Sequence, residues 1–368
     1  MTVQVKTNKV HSGHRGGGFL IHPATPADLF TPEDLTAEHR AIADLCDQFI
    51  EGEVVPYNDA IEKLTPGLMP ALLKKAGEQG LFGAEIPTEF GGMELDETTA
   101  ILICEHLGRQ GSFAVSHGAH SGIGTLPIVY FGTPAQKAKY LPKLASGEML
   151  SCYALTEPGS GSDALAAKTK AVLSPDGKHY ILNGSKMWIT NAGFADLCVL
   201  FAKIDGDKFT GFIVERTTPG FTVNKEEHKM GLKGSSTCAL TLQDVKLPVD
   251  AVLGEIGRGH KIAFNILNIG RFKLGAGAIG AAKEVLRTTL QYTAERKQFD
   301  TRLQDFPLIM SKLADMAVAV YVGESMVYRT AGLIDGGRPH AKAPEADPLQ
   351  ERLATIEEYA VECSMLKV

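Results

Sequence analysis

Apolar residues in the first part of the chain recur at roughly helical spacing: Leu35, Ile42, Leu45, Phe49 and Val54 form one stripe. Thr31-Pro-Glu-Asp34 ahead of it supplies a capping hydroxyl, a proline for the first helical position and acids for the first turn. A helix is therefore predicted to start there or at Thr36 and to end at Pro56. Residues 68–79, closed by Gly80 as a left-handed cap, and residues 96–109 predict two more helices, with a turn over 86–92 between them. Thr133-Pro134 caps another that ends near Gly147. The pattern assigns no element to residues 112–125, which are rich in Gly, Ser and His. Residues 30–150 thus read as a helical domain.

From Ser151 the pattern shifts to short strands. Residues 168–173 and 179–182 flank Ser-Pro-Asp-Gly177, and residues 197–204 and 209–215 flank Asp205-Gly-Asp207, which are two hairpin signals. Further strands are predicted at 221–225 and 237–245. Residues 151–250 read as a β domain of barrel or sandwich type.

Helical phase then returns. No proline interrupts residues 259–299, and Ile262, Ile266, Ile269, Ile279, Leu286 and Leu290 keep the period. At about 1.5 Å per residue such a helix is ~55–60 Å long, a length found mostly in bundles. Gly275-Ala-Gly277-Ala-Ile-Gly280 inside it matches the dinucleotide-binding Gly-x-Gly-x-x-Gly, but no strand precedes it, so close packing through small residues is the better reading. A second helix is predicted over 308–335. Gly336-Gly-Arg-Pro339 and a Pro-rich loop follow, then a third helix starts near Asp347 or Pro348 and continues to the last residue. Residues 251–368 read as a helical, incomplete C-terminal domain, giving an α+β multidomain order of helical, β and helical parts.

At 368 residues, the chain exceeds one ordinary core. A net charge of -6 with scattered basic residues leaves no footprint for nucleic acid. Six cysteines, no two closer than 40 residues, exclude Cys-x-x-Cys spacing and predict reduced, mostly buried thiols. His117 and His120 lack the glutamate of a zinc helix and read as packing or polar lining, so no metal site is expected. No apolar run reaches the 18 residues of a membrane helix. Residues 1–29 read as a flexible arm: the first 21 lack the apolar core of a secretory signal and the Arg-rich amphipathic pattern of a transit peptide. That favours a bacterial cytoplasm, with the mitochondrial matrix as the alternative.

Two motifs carry chemistry. Tyr153-Ala-Leu-Thr-Glu-Pro-Gly-Ser-Gly-Ser-Asp163 runs a short apolar strand into a turn that exposes backbone N–H groups and hydroxyls. Lys186-Met-Trp-Ile-Thr-Asn191 then brings the only tryptophan, Trp188, and a hydroxyl two residues on, at Thr190. Residues i and i+2 of a strand share a face, so ring and donor are predicted to meet one flat ligand, such as an isoalloxazine.

Together these motifs resemble the flavin-binding signature of the acyl-CoA dehydrogenase family, with particular similarity to its very-long-chain branch. The resemblance runs from about Phe30 to the last residue. It implies FAD as cofactor, a fatty acyl-CoA as substrate, an electron-transfer flavoprotein as partner and a homodimer or tetramer as assembly. By position, Thr156 matches the hydroxyl that bonds the flavin pyrimidine edge, with Tyr153, Leu155 and Gly161 around it. Ser162 matches a residue near the phosphates and the pantetheine arm of the substrate. Trp188 matches the tryptophan packed on the ring, next to Ile189, and Thr190 the hydroxyl that bonds N5.

Arg296-Lys-Gln298-Phe299 resembles the Arg-x-x-Phe-Gly element, whose arginine reaches the FAD pyrophosphate of a neighbouring subunit. Asn268 and Arg271 stand where relatives contact acyl-CoA. Two departures occur: Asp300 replaces the usual glycine, and Phe306-Pro307 stands where many relatives carry a glutamine.

The catalytic base is missing from these matches. Removal of a proton alpha to a thioester needs a carboxylate within hydrogen-bond reach. In most of the family that glutamate matches a position downstream of Val368; in a minority it precedes the arginine matching Arg271, where this chain has Gly270. Glu89 and Glu157 match neither place and read as structural. The resemblance thus implies either a base beyond the given residues or a scaffold that has lost the chemistry. A dehydrogenase is the leading expectation. The alternatives are a non-catalytic assembly or binding protein and a flavin oxidase or monooxygenase on the same fold.

Overall fold

A computed structural model describes residues 29–336 and 347–366. The predicted arm, apart from its last residue, and the Gly- and Pro-rich loop after 336 lie outside the described residues.

The first helices are α1 (Ala37–Phe49), α2 (Asn58–Glu62), α3 (Leu68–Glu78) and α4 (Glu97–Leu107). They are followed by α5 (Gly111–Gly118), α6 (Leu126–Phe131) and α7 (Pro134–Ala145). Thr36 caps α1 by accepting from the His39 N–H at 3.2 Å, and Asp96 caps α4 by accepting from Thr99 N–H at 2.9 Å. Two expectations need correction. Pro56 does not end a helix: α1 loosens into a π turn over Ile50–Val54, and the proline sits in the following 3-10 turn, where its missing N–H costs nothing. The Gly/Ser/His stretch at 112–125 is helical, formed by α5 and a π turn over Ala119–Gly124.

The strands are β1 (Ser151–Ala154), β2 (Lys170–Leu173), β3 (His179–Thr190), β4 (Leu197–Ile204), β5 (Lys208–Glu215), β6 (Phe221–Glu226), β7 (Thr237–Pro248) and β8 (Val252–Leu253). Their order is β6-β7-β3-β2-β4-β5-β8, with β1 joined to β4. Both predicted hairpins form, β2 with β3 and β4 with β5. In the second, Asp205 (φ 53°) and Gly206 (φ 85°) both adopt the left-handed conformation that such a tight connection demands.

Helix α8 (Gly259–Glu295) is 37 residues long and ends short of the predicted Phe299. A two-stranded hairpin, β9 (Lys297–Gln298) with β10 (Thr301–Arg302), takes its place. Its two turn residues, Phe299 (φ 53°) and Asp300 (φ 58°), are both left-handed. Glycine is the ordinary occupant there, and Asp is among the few side chains that tolerate the conformation, which gives the Asp300 departure a physical basis. Helix α9 (Pro307–Gly336) follows. The predicted last helix is two, α10 (Pro348–Glu358) and α11 (Ala360–Leu366), broken at Tyr359.

The described residues divide into two compact units: 29–50, 96–111, 271–336 and 347–366 form one, 51–95 and 112–270 the other. In the first, α4 packs on α1 and α9, and the Gly-x-Gly-x-x-Gly segment of α8 lies against α4. A Cβ on Gly280 would overlap the Glu105 carbonyl oxygen, and one on Gly108 would overlap that of Gly277. These glycines let two backbones touch, as their context predicts. Gly280→Val is expected to cost at least ~1–3 kcal/mol through overpacking. Gly118→Ala, with open space around it, is expected to be neutral or to stabilise by up to ~1 kcal/mol. Urea midpoints of both variants check the contrast; a Gly280→Val midpoint equal to wild type would discount the close approach.

In the second unit the core is the inner face of the sheet, built from residues such as Leu182, Leu200, Phe212, Val214 and Leu240. All six cysteines are free and buried. His117 and His120 pack inside, His117 Nε2 lying 3.1 Å from the Leu81 carbonyl.

Candidate flavin-type site in the sheet unit

The side chains of β3 alternate inward at Tyr180, Leu182 and Lys186. Strict alternation would turn Trp188 and Thr190 inward too. They are kept out by a register shift against β7 between Lys186 and Ile189, a bulge in which Trp188 takes φ 60°. Lys186 and Ile189 both point inward across it, Trp188 is 54% exposed, and Thr190 is half-buried. The simple i, i+2 argument therefore needs correction: the extra residue of the bulge presents ring and hydroxyl to the open side.

The first motif is tied to this bulge at three points. Met187 N–H donates to the Thr156 carbonyl at 2.9 Å. Lys186 Nζ donates to the Leu155 carbonyl at 3.2 Å and to Glu157 Oε1 at 2.7 Å. Glu157 also accepts from the N–H groups of Lys168 (2.6 Å) and Thr169 (3.1 Å), and its backbone exchanges two hydrogen bonds with Ser160. Burial pushes the Glu157 carboxyl upward, but the Lys186 charge and these donors outweigh it and hold the pKa below the usual carboxylate range. Burial draws the Lys186 ammonium below its ordinary value, against the opposing pull of Glu157. Gly184 permits the crossing, since a Cβ there would come within 2.5 Å of Thr169 Oγ1.

Sequence reasoning treated Glu157 as structural and passed over Lys186. A lysine at an inward position of a β-strand was the available signal. It also passed over Asn191, buried at φ 66°, which donates through Nδ2 to the Ser116 carbonyl at 2.8 Å; Asn191 Oδ1 and Ser116 Oγ, both buried, have no partner among the described residues.

Gly161 and Ser162 lie exposed on the turn, and a Cβ on Gly161 would meet open space. Tyr153, Leu155 and Ile189 are buried, and the Tyr153 hydroxyl lies 3.4 Å from the Ala263 carbonyl, so none of the three turns its side chain to the open side. Asn268, also in this unit, is 8% exposed on α8. Arg271, Arg296, Gln298 and Phe299 belong to the first unit. Arg296 is exposed at the end of α8, Gln298 Nε2 folds back onto the Lys297 carbonyl at 2.8 Å, and Phe299 is 91% exposed. Of the positions weighed for a base, Glu89 is exposed on a 3-10 turn, Glu157 is held by Lys186 and two amides, and position 270 is glycine.

Three family domains match consecutive parts of the chain: "Acyl-CoA dehydrogenase, N-terminal domain" over residues 36–148, the middle domain over 152–245 and the C-terminal domain over 257–354. A "Probable acyl-CoA dehydrogenase" of Bacillus subtilis is 52% identical over 354 residues, 96% of this chain and 60% of that protein. The "Very long-chain specific acyl-CoA dehydrogenase, mitochondrial" of Bos taurus is 42% identical over 76% of this chain and 44% of its own length. The chain thus spans about half to three fifths of these relatives. Among solved structures, an acyl-CoA dehydrogenase of Bacillus anthracis complexed with FAD superposes with a TM-score of 0.93 at 51% identity, covering 96% of this chain and 62% of that one. Butyryl-CoA dehydrogenase of Megasphaera elsdenii superposes with a TM-score of 0.79 at 31% identity, covering 91% of this chain and 98% of that one. Matched by three consecutive domains, and covering that last relative almost end to end, the chain belongs to the acyl-CoA dehydrogenase family.

Proposed function

We propose that the protein is an FAD-dependent acyl-CoA dehydrogenase that oxidises a fatty acyl-CoA to the trans-2-enoyl-CoA and hands the electrons to an electron-transfer flavoprotein. The observation that carries this reading is the β3 bulge, which sets the exposed indole of Trp188 and the hydroxyl of Thr190 beside the Thr156 turn. The donor set fits the ring: the hydroxyls of Thr156 and Thr190 make no hydrogen bond with other described residues, so both are free for a ligand's polar edge. The FAD of the Bacillus anthracis relative supports the assignment.

Bound flavin would supply acceptance of a hydride from the β carbon, and the α proton would go to a carboxylate that the residues named above do not supply. The chain's own residues bind and orient. Trp188 covers one face of the ring and excludes water from it. Thr190 donates toward N5, where electron density accumulates, and a fixed dipole stabilises that charge without reorganising. Thr156 meets the pyrimidine edge, and Ser162, Asn268 and Arg271 serve the acyl-CoA. Arg296, whose guanidinium forms no ion pair among the described residues, suits a pyrophosphate held by another subunit. Self-association is supported by apolar side chains on α9, with Leu308 79%, Tyr321 67% and Val318 61% exposed. A bacterial cytoplasm is consistent with the Bacillus relative.

The purified protein is expected to be yellow. Residues 1–368 alone are expected to bleach ~10²- to 10⁴-fold more slowly on anaerobic mixing with acyl-CoAs than a protein that also carries a carboxylate for the α proton. Absence of FAD would overturn the reading. Flavin that no acyl-CoA bleaches in either protein would favour a non-catalytic scaffold, and reduced flavin that oxygen reoxidises at the turnover rate would favour an oxidase. Arg296→Ala is expected to weaken FAD retention by about 10-fold or more, the worth of one charge-assisted contact. Equilibrium dialysis measures this; a strictly monomeric protein that holds FAD tightly would rule out the cross-subunit role.

A further inference from the structure

We infer that the buried Lys186–Glu157 pair is a positioning device that holds the two halves of the flavin seat in register before the ligand arrives. The inference rests on the flavin reading above and adds two residues to it, neither of which faces the open side.

The pair sits where both motifs meet. Lys186 is fully enclosed, and its side chain reaches the Leu155 carbonyl (3.2 Å) and Glu157 Oε1 (2.7 Å), the residues on either side of Thr156. Between those contacts, the Thr156 carbonyl accepts from Met187 N–H at 2.9 Å. Thr156 is thus bracketed by a residue pair whose other end is the bulge that carries Trp188. Glu157 is also pinned to the amides that lead into β2: Oε2 accepts from Lys168 N–H at 2.6 Å, and Oε1, besides Lys186, accepts from Thr169 N–H at 3.1 Å. Turn, bulge and strand entry therefore share one junction.

Energetics explain why a charge pair is informative here. Desolvating two ions offsets most of their attraction, so well-packed apolar residues would hold a core as firmly. Apolar side chains could not bond the Leu155 carbonyl or the amides at 168 and 169. What the ions add over them is fixed geometry for Thr156 and Trp188. A seat assembled in advance spares the ligand the ordering of its own wall, and that saving is read as affinity.

The test uses the whole protein with FAD removed and FAD titrated back. Lys186→Met combined with Glu157→Gln removes both charges and leaves no buried ion unpaired. Its FAD dissociation constant is expected to rise at least ~10-fold over wild type. Because Trp188 is the only tryptophan, the apoprotein's fluorescence anisotropy reports the seat directly and is expected to fall. Glu157→Asp keeps the charge but shortens the reach to Lys186 and the two amides; it serves as the folded comparison if the double variant does not fold and is expected to shift both readouts in the same direction. Lys186→Arg, which keeps the charge, is expected to restore part of the affinity relative to Lys186→Met/Glu157→Gln. A folded variant with wild-type FAD affinity and wild-type anisotropy, whatever its melting temperature, would overturn the inference and leave the flavin reading intact. A wild-type protein that takes up no FAD would overturn the flavin reading, and this inference with it.

Discussion

Thr190→Val is expected to leave FAD bound while slowing its reduction by acyl-CoA by about 10²- to 10³-fold, the usual cost of removing one preorganised donor from developing charge. The substitution keeps the β-branched shape that suits a strand, so β3 and its pairing with Thr237 should persist. Only the hydroxyl is lost, and it holds nothing else in the chain: no described residue is its hydrogen-bond partner. Ground-state affinity should therefore change little, because Trp188 and the Thr156 turn still form the wall. Anaerobic stopped-flow absorbance separates the two quantities, with FAD affinity measured on the same preparations. A variant reduced at the wild-type rate would remove Thr190 from the chemistry, whereas joint loss of affinity and rate would make it a binding residue instead.

The motifs were legible because chemistry concentrates in few residue types: one tryptophan, a hydroxyl two residues on, and a Pro- and Gly-punctuated turn. Their presentation was not. Alternation counted from Tyr180 and Leu182 puts Trp188 and Thr190 in the core, and nothing in Lys186-Met-Trp-Ile announces the extra residue that turns them out. A bulge is a register relation between two strands, here β3 and β7, so it cannot be read from one strand alone.

Strand and hairpin positions followed closely from period-2 patterning and turn residues, since tight turns admit few side chains. Helices rich in glycine were harder. Gly124 in the π turn sits where a Cβ would overlap Ser151 Oγ, so glycine there marks a close approach and not a loop. Local propensity points the other way, which is why residues 112–125 received no element. The hairpin after α8 departs from the predicted helix for a related reason: Phe299 is an uncommon left-handed residue, and no proline over 259–299 marks the break.

The same segment holds the group that should govern acid stability. His120 is completely buried, with Nε2 lying 3.0 Å from the Leu144 carbonyl and Nδ1 lying 3.0 Å from Ser151 N. An amide N–H can only donate, so Nδ1 is the bare nitrogen and Nε2 carries the proton. A second proton would set two donors against each other and leave a cation without water, so burial pulls the His120 pKa from 6.5 down to about 4. The unfolded chain binds that proton first. Stability from this group is therefore complete above pH 6.5 and is lost as pH falls from 6.5 toward 4, to a total of about 3 kcal/mol. Urea unfolding is expected to show a loss of about 2 kcal/mol from this source between pH 7 and pH 5. His120→Gln, which offers a donor and an acceptor but does not titrate, should be less stable than wild type at pH 7 and lose less on acidification. If the two proteins lost equal stability between pH 7 and pH 5, His120 would not be the acid-sensitive joint between the Ala119–Gly124 turn and β1, the strand that leads into the Thr156 turn.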